Sequence, residues 1–168
     1  GFTEYYNLGQ IEAKPKMIGV QAEGAAPIAE AVGKKRFDIE PVKKPETIAT
    51  AIRIGMPVSW KKALRAIYES EGTAITVSDE EILDAQSLLA RLEGLFVEPA
   101  SAAPIAALKK LKEKDYLSKD DVVVCVATGH GLKDPDVVSR LYKKPIELEA
   151  DVSSIERFLG LAKKEVAV

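Results

Sequence analysis

Residues 121–134, DVVVCVATGHGLKD, constrain this chain more than any other stretch. Val122, Val123, Val124 and Val126 surround Cys125 in an unalternating, β-branched run, the pattern of a strand buried on both faces. The run stops at Thr128-Gly129-His130-Gly131, where glycine permits a tight turn and a close backbone approach. Open α/β sheets bind ligands outside the carboxyl ends of their strands, which puts Thr128 at any such site. Thr-Gly-x-Gly by itself also describes ordinary strand ends that bind nothing, and from the local residues both meanings stand. His130 is the sole histidine, so no second imidazole is available for a metal site. A structural or solvent-facing role is expected for it. Cys125, inside the apolar run, reads as an inert core thiol.

The rest of the composition narrows the class. A chain of 168 residues, 46% hydrophobic and 30% charged, is long enough for one domain with a real core. Its net charge of -2 and pI near 5.6 argue against a nucleic-acid partner. Lys34-Lys35-Arg36 and Lys43-Lys44 are short clusters near prolines and read as solvated loops. One cysteine excludes an internal disulfide and fits a reducing cytoplasm. No apolar run approaches the roughly 20 residues needed to span a bilayer, and no signal peptide is visible. The chain opens at Gly1-Phe2-Thr3 without an initiator methionine, and Phe2, Tyr5, Tyr6 and Leu8 mark a helical stub too short to stand alone. The expectation is that this is the remainder of something longer.

In order, Pro15 leads into a strand over 16–22, and Glu23-Gly24-Ala25-Ala26-Pro27 turns into a short helix over 28–32. Gly24 lets the backbone pass close to a flat ligand, with small side chains beside it; an ordinary βα turn is the alternative. A long proline-containing connection follows over 33–45, and 45–53 is a helix or a partly helical loop. Pro57 is expected in the first turn of a helix over 57–70, with Val58, Ala63, Leu64 and Ile67 on its apolar face. A strand over 72–77 leads to Ser78-Asp79-Glu80-Glu81, where Ser78 and Glu81 have the spacing of a capping box. That helix runs to Gly94. A very short strand over 95–97 precedes a helix that starts with the small residues of 99–103 and ends basic at Lys112. Further helices are expected near 137–141 and 153–161. Strands alternating with helices predict an α/β fold: a doubly wound, mostly parallel sheet with helices on both faces.

Four stretches carry a family resemblance: IGVQAEGAAPI (18–28), PETIATAIRIGMPVSWKKALRAI (45–67), SEGTAITVSDEEI (70–82), and the pair EPASAA (98–103) with TGHGLKD (128–134). Together they resemble threonine synthase, a pyridoxal-phosphate (PLP) enzyme of the tryptophan synthase β-like fold type, in continuous order over 1–134. Met56, where the family commonly has asparagine, and Pro104 depart from the pattern. The resemblance implies conversion of O-phospho-L-homoserine and water to L-threonine and phosphate, with PLP as electron sink. It also implies that the Schiff-base lysine, the asparagine beside the cofactor's 3′-oxygen and the glycine-rich phosphate loop lie upstream of Gly1. No catalytic residue is therefore expected here, and the chain alone is expected to be inactive. Thr128 matches the hydroxyl that pairs with the pyridine nitrogen, and Gly24 and Ala25 match the turn packed against the ring. Residues 98–102 match a neighbouring wall whose contacts the resemblance leaves unspecified. Arg53 is either an anion contact or half of a structural ion pair.

The implied organisation is an incomplete PLP-binding portion over 1–145 and a tail with a short helix over 146–168. The implied partners are the small-molecule substrate and a second copy in a homodimer, with no nucleic acid, membrane or metal. Two alternatives stay open: a related PLP-dependent threonine or serine dehydratase, and a noncatalytic α/β domain that binds a metabolite or a partner.

Overall fold

The computed structural model describes residues 1–137 and 146–161. The chain divides into two compact units, Gly1–Val137 and Val138–Val168. The expected boundary at 145/146 borders residues 138–145, which lie outside the described residues, as does all but the first residue of the helix expected over 137–141.

The first unit is built on two strands, β1 (Ile18–Ala22) and β2 (Thr73–Val77), paired in parallel with Ile18 opposite Thr73 and Ala22 opposite Val77. Side chains alternate across a strand, so each face of this pair meets different helices. Ile18, Val20, Ala22, Ile75 and Val77 join the core formed with α4 (Asp79–Glu93) and α5 (Pro99–Glu113), where Ile82, Ala85, Ala102, Ala103, Ala107 and Leu111 are buried. On the opposite face Gly19 lies under Ile67 of α3 (Trp60–Glu69), and the Gln21 side-chain oxygen accepts the N–H groups of Ile28 (2.9 Å) and Ala29 (3.0 Å). Those are orphan donors in the first turn of α2 (Pro27–Gly33), so a strand side chain caps the next helix. Helices thus cover both faces, as the alternation predicts.

The α4 start behaves as its sequence dictates. Ser78 Oγ accepts from the Glu81 N–H at 3.2 Å, and Glu81 Oε2 accepts from the Ser78 N–H at 2.7 Å. Gly94 closes the helix in the left-handed conformation. By contrast α3 begins at Trp60 behind Ser59, so Pro57 is not in its first turn, and Val58 lies outside the helix and is fully exposed. The buried stripe reduces to Leu64 and Ile67. α1 (Phe2–Asn7) is a single exposed stub.

Two expected strands are absent. Residues 95–97 contribute only a one-residue antiparallel bridge, Val97 with His130. Residues 122–127 form no strand, and Val122 and Val124 are 93% and 82% exposed. A β-branched run specifies extended backbone, but a strand also needs a ladder partner for its N–H and C=O groups, and among the described residues none pairs with this run. It leans on α5 through Cys125, whose Sγ donates to the Pro104 carbonyl at 3.9 Å. Cys125 is accordingly half-buried rather than a core thiol, and burial pushes its pKa up.

In the second unit, α6 (Val152–Phe158) is capped by Asp151, whose Oδ1 accepts from the Ser154 N–H at 3.0 Å. The Ser153 hydroxyl, and after it that N–H, hold the Asp151 carboxyl below its ordinary pKa.

Candidate functional site

The residues around Thr128 are held by two antiparallel turns. Glu98 N–H donates to the Gly129 carbonyl and Gly131 N–H to the Phe96 carbonyl, both at 3.0 Å. A Cβ at Gly129 would lie 2.2 Å from Glu98 Oε1, so any side chain there would displace the Glu98 carboxylate. Glu98 is itself buried, and its carboxylate meets the more exposed Lys133 ammonium at 3.2 Å. From the first turn of α5, the buried Ser101 reaches across: its Oγ accepts from Thr128 N–H at 3.0 Å and from Gly129 N–H at 2.8 Å, and stands 3.1 Å from Thr128 Oγ1. Thr128 is exposed. His130 takes the structural role expected of it: its Nδ1 accepts from Leu132 N–H at 3.1 Å, and its ring packs edge-on against Phe96.

The Gly24 turn follows the carboxyl end of β1, and Ala25 within it is fully buried. Gly24 gives way to a protein atom: a Cβ there would come 1.9 Å from the Glu46 carbonyl oxygen, and the Glu46 N–H bonds back to the Gly24 carbonyl at 3.1 Å. Segment 46–53 ties the two turns together. Thr47 and the Ile48 N–H bond to Asp79 at the start of α4, and Thr50 Oγ1 donates to Asp134 Oδ2 at 2.6 Å. Among the described residues Arg53 makes no ion pair; its guanidinium donates to the Thr47 carbonyl. Gly24 and Thr128 are therefore linked through this segment, which lies beyond the carboxyl end of β2.

A second polar cluster flanks the Gly24 turn. Lys110 Nζ reaches Glu81 at 2.7 Å, the Thr76 carbonyl at 3.1 Å and Glu23 at 3.4 Å. Burial works to lower the Lys110 pKa, but the two carboxylates outweigh it and raise the value. For Glu81, burial works to raise the pKa, and the Lys110 ammonium with the Ser78 N–H outweighs it, leaving the carboxyl below its ordinary value. The cluster's pairing is internally complete, which marks it as structural.

The pyridoxal-phosphate dependent enzyme family model matches residues 1–129. The chain belongs to that family. It is 57% identical over 159 residues to the threonine synthase of Methanocaldococcus jannaschii, covering 95% of this chain and 39% of that protein. It is 51% identical to the threonine synthase of Methanosarcina acetivorans, covering 97% and 40%. The chain thus spans about two fifths of the length of these relatives. A fungal L-serine ammonia-lyase from Rhizomucor miehei shares the fold, with a TM-score of 0.61 at 24% identity over 82% of this chain and 44% of that one.

A family member's cofactor needs a partner for its ring nitrogen, and the residues here fit that need. Thr128 is an exposed residue on backbone pinned by Ser101, and its side-chain neighbour is another hydroxyl rather than a carboxylate. Sequence reasoning placed Ser101 within the 98–102 wall but assigned it no contact. The local trace of its contact was a lone hydroxyl in the otherwise small, apolar start of α5, PASAAP.

Proposed function

We propose that this chain forms the C-terminal part of a threonine synthase, which converts O-phospho-L-homoserine and water to L-threonine and phosphate with PLP. The observation that carries the reading is the Thr128 hydroxyl, held on a pinned, exposed turn where a ring nitrogen could be met. The identity to threonine synthases supports it. When bound, the cofactor supplies the electron sink for the chemistry. Thr128 orients the ring through a hydroxyl donor and keeps its nitrogen unprotonated, since a hydroxyl is far too weak an acid to give its proton up. One such bond is worth about 1 kcal/mol net. Gly24 and Ala25 form the turn that backs the ring.

In this proposal the lysine that links the cofactor and the loop that cradles its phosphate come from outside these residues, so the chain alone does not turn over. Purified chain mixed with PLP should release no phosphate from O-phospho-L-homoserine above the buffer rate. In the holoenzyme, Thr128→Val should lower kcat with KM little changed; unchanged turnover removes Thr128 from the site. The dehydratase alternative predicts instead the formation of ammonia and a 2-oxo acid from threonine or serine. A cytoplasmic homodimer completes the proposal.

A further inference from the structure

We infer that Ser101 is a positioning residue that fixes both the place and the polarity of the Thr128 hydroxyl, so that Thr128 can only donate its proton outward. The inference rests on the proposed pairing of Thr128 with a ring nitrogen and deepens it.

A serine hydroxyl has two lone pairs and one proton. Both lone pairs of Ser101 Oγ are used, one by the Thr128 N–H at 3.0 Å and one by the Gly129 N–H at 2.8 Å. The remaining contact, 3.1 Å to Thr128 Oγ1, must then be made with the Ser101 proton. The reverse direction would ask one hydroxyl oxygen to accept three hydrogen bonds. Thr128 Oγ1 is therefore the acceptor, and its own proton is left for a partner outside this network.

The arrangement is also rigid. Ser101 is 1% exposed, its N–H bonds to the Glu98 carbonyl at 2.9 Å, and Ala102 and Ala103 beside it are buried. Two amide donors polarise the Ser101 hydroxyl, which in turn strengthens Thr128 as a donor. The partner this selects is a lone-pair acceptor such as an unprotonated aromatic nitrogen. A protonated ring nitrogen has no lone pair to offer and is disfavoured.

The test uses the holoenzyme loaded with PLP carrying 15N at the ring nitrogen, comparing Ser101→Ala, Ser101→Thr and Thr128→Val. In Ser101→Ala the 15N resonance should move in the direction it moves in Thr128→Val, and Ser101→Thr should restore it. Without cofactor, hydrogen exchange at the Thr128 and Gly129 amides should quicken about fivefold or more in Ser101→Ala, with the α4 and α5 amides unchanged. A resonance that moves in Thr128→Val but not in Ser101→Ala overturns the polarity assignment. Unchanged amide exchange overturns the positioning role even for a variant that cannot hold cofactor. A resonance indifferent to Thr128→Val removes the ring-nitrogen reading itself, and is thereby told apart from a failure at Ser101.

Discussion

Residues 73–77 and 122–126 are both short runs rich in β-branched side chains, yet they end in opposite places. Val77 is wholly buried in a parallel pair, whereas Val124, in the stronger-looking run, is 82% exposed. The difference lies outside the segments. β2 has β1 to take its ladder bonds and α4 and α5 to cover its face; residues 122–126 have the flank of α5 and the Ser101 hydroxyl at their far end. Burial is conferred by neighbours, and the same valine is worth a core contact in one place and almost nothing in the other.

The comparison can be broken most sharply at Gly24. Gly24→Ala drives a methyl against the Glu46 carbonyl and should cost about 3 kcal/mol by urea unfolding; a loss below about 1 kcal/mol means that segment 46–53 yields easily. Next, Val77→Ala should cost about 2.5 kcal/mol, and Val124→Ala should stay within about 0.5 kcal/mol. Equal losses would show that the 122–126 run is covered in solution. Smaller again, Ser78→Ala removes one side of the capping box and should cost about 1 kcal/mol.

The smallest effect is one of pH. Glu81 sits below its ordinary value of 4.5, so its contribution is present above that value and fades as pH falls through the lowered one. Lys110 sits above its ordinary 10.5, so its contribution is present below that value and fades as pH rises through the raised one. Lys110→Met should therefore destabilise by under about 1 kcal/mol near pH 7, and the gap to the parent should shrink on acidification below 4.5. A gap that is constant down to pH 3 would assign the loss to packing of the lysine stem.

How legible all this was depended on how local each signal is. The capping box at Ser78, the Gly94 stop and the turn after β1 are written within a few residues, and they appear where the sequence puts them. Pro57 misled because a proline marks a helix start without marking its residue; Ser59 sits at the cap instead. The 122–127 run misled because extended backbone is a local preference and a ladder is not. The glycines of TGHGLKD announced a tight turn, but nothing local announced that Glu98 and Phe96 would fill the space they leave, or that Ser101 would take the Gly129 N–H. The role proposed for Thr128 was legible only through family resemblance, whereas the bonds that orient it join residues 27 and 28 positions apart.

The β1–β2 register carries a consequence in time. Ile18 meets Thr73, a separation of 55 residues (73 minus 18), and closing a loop of that length costs about 3.5 kcal/mol in chain entropy beyond a constant term. The α4–α5 pair, joined through residues 94–98, closes a far shorter one. The helices are thus positioned to meet early and the strands late, an order that φ-values near zero at Val77 beside higher ones at Ala85 would verify. Until that late pairing forms, the turns at Gly24 and Thr128 have no common frame, so the proposed site is assembled only with the final step of folding rather than along the way.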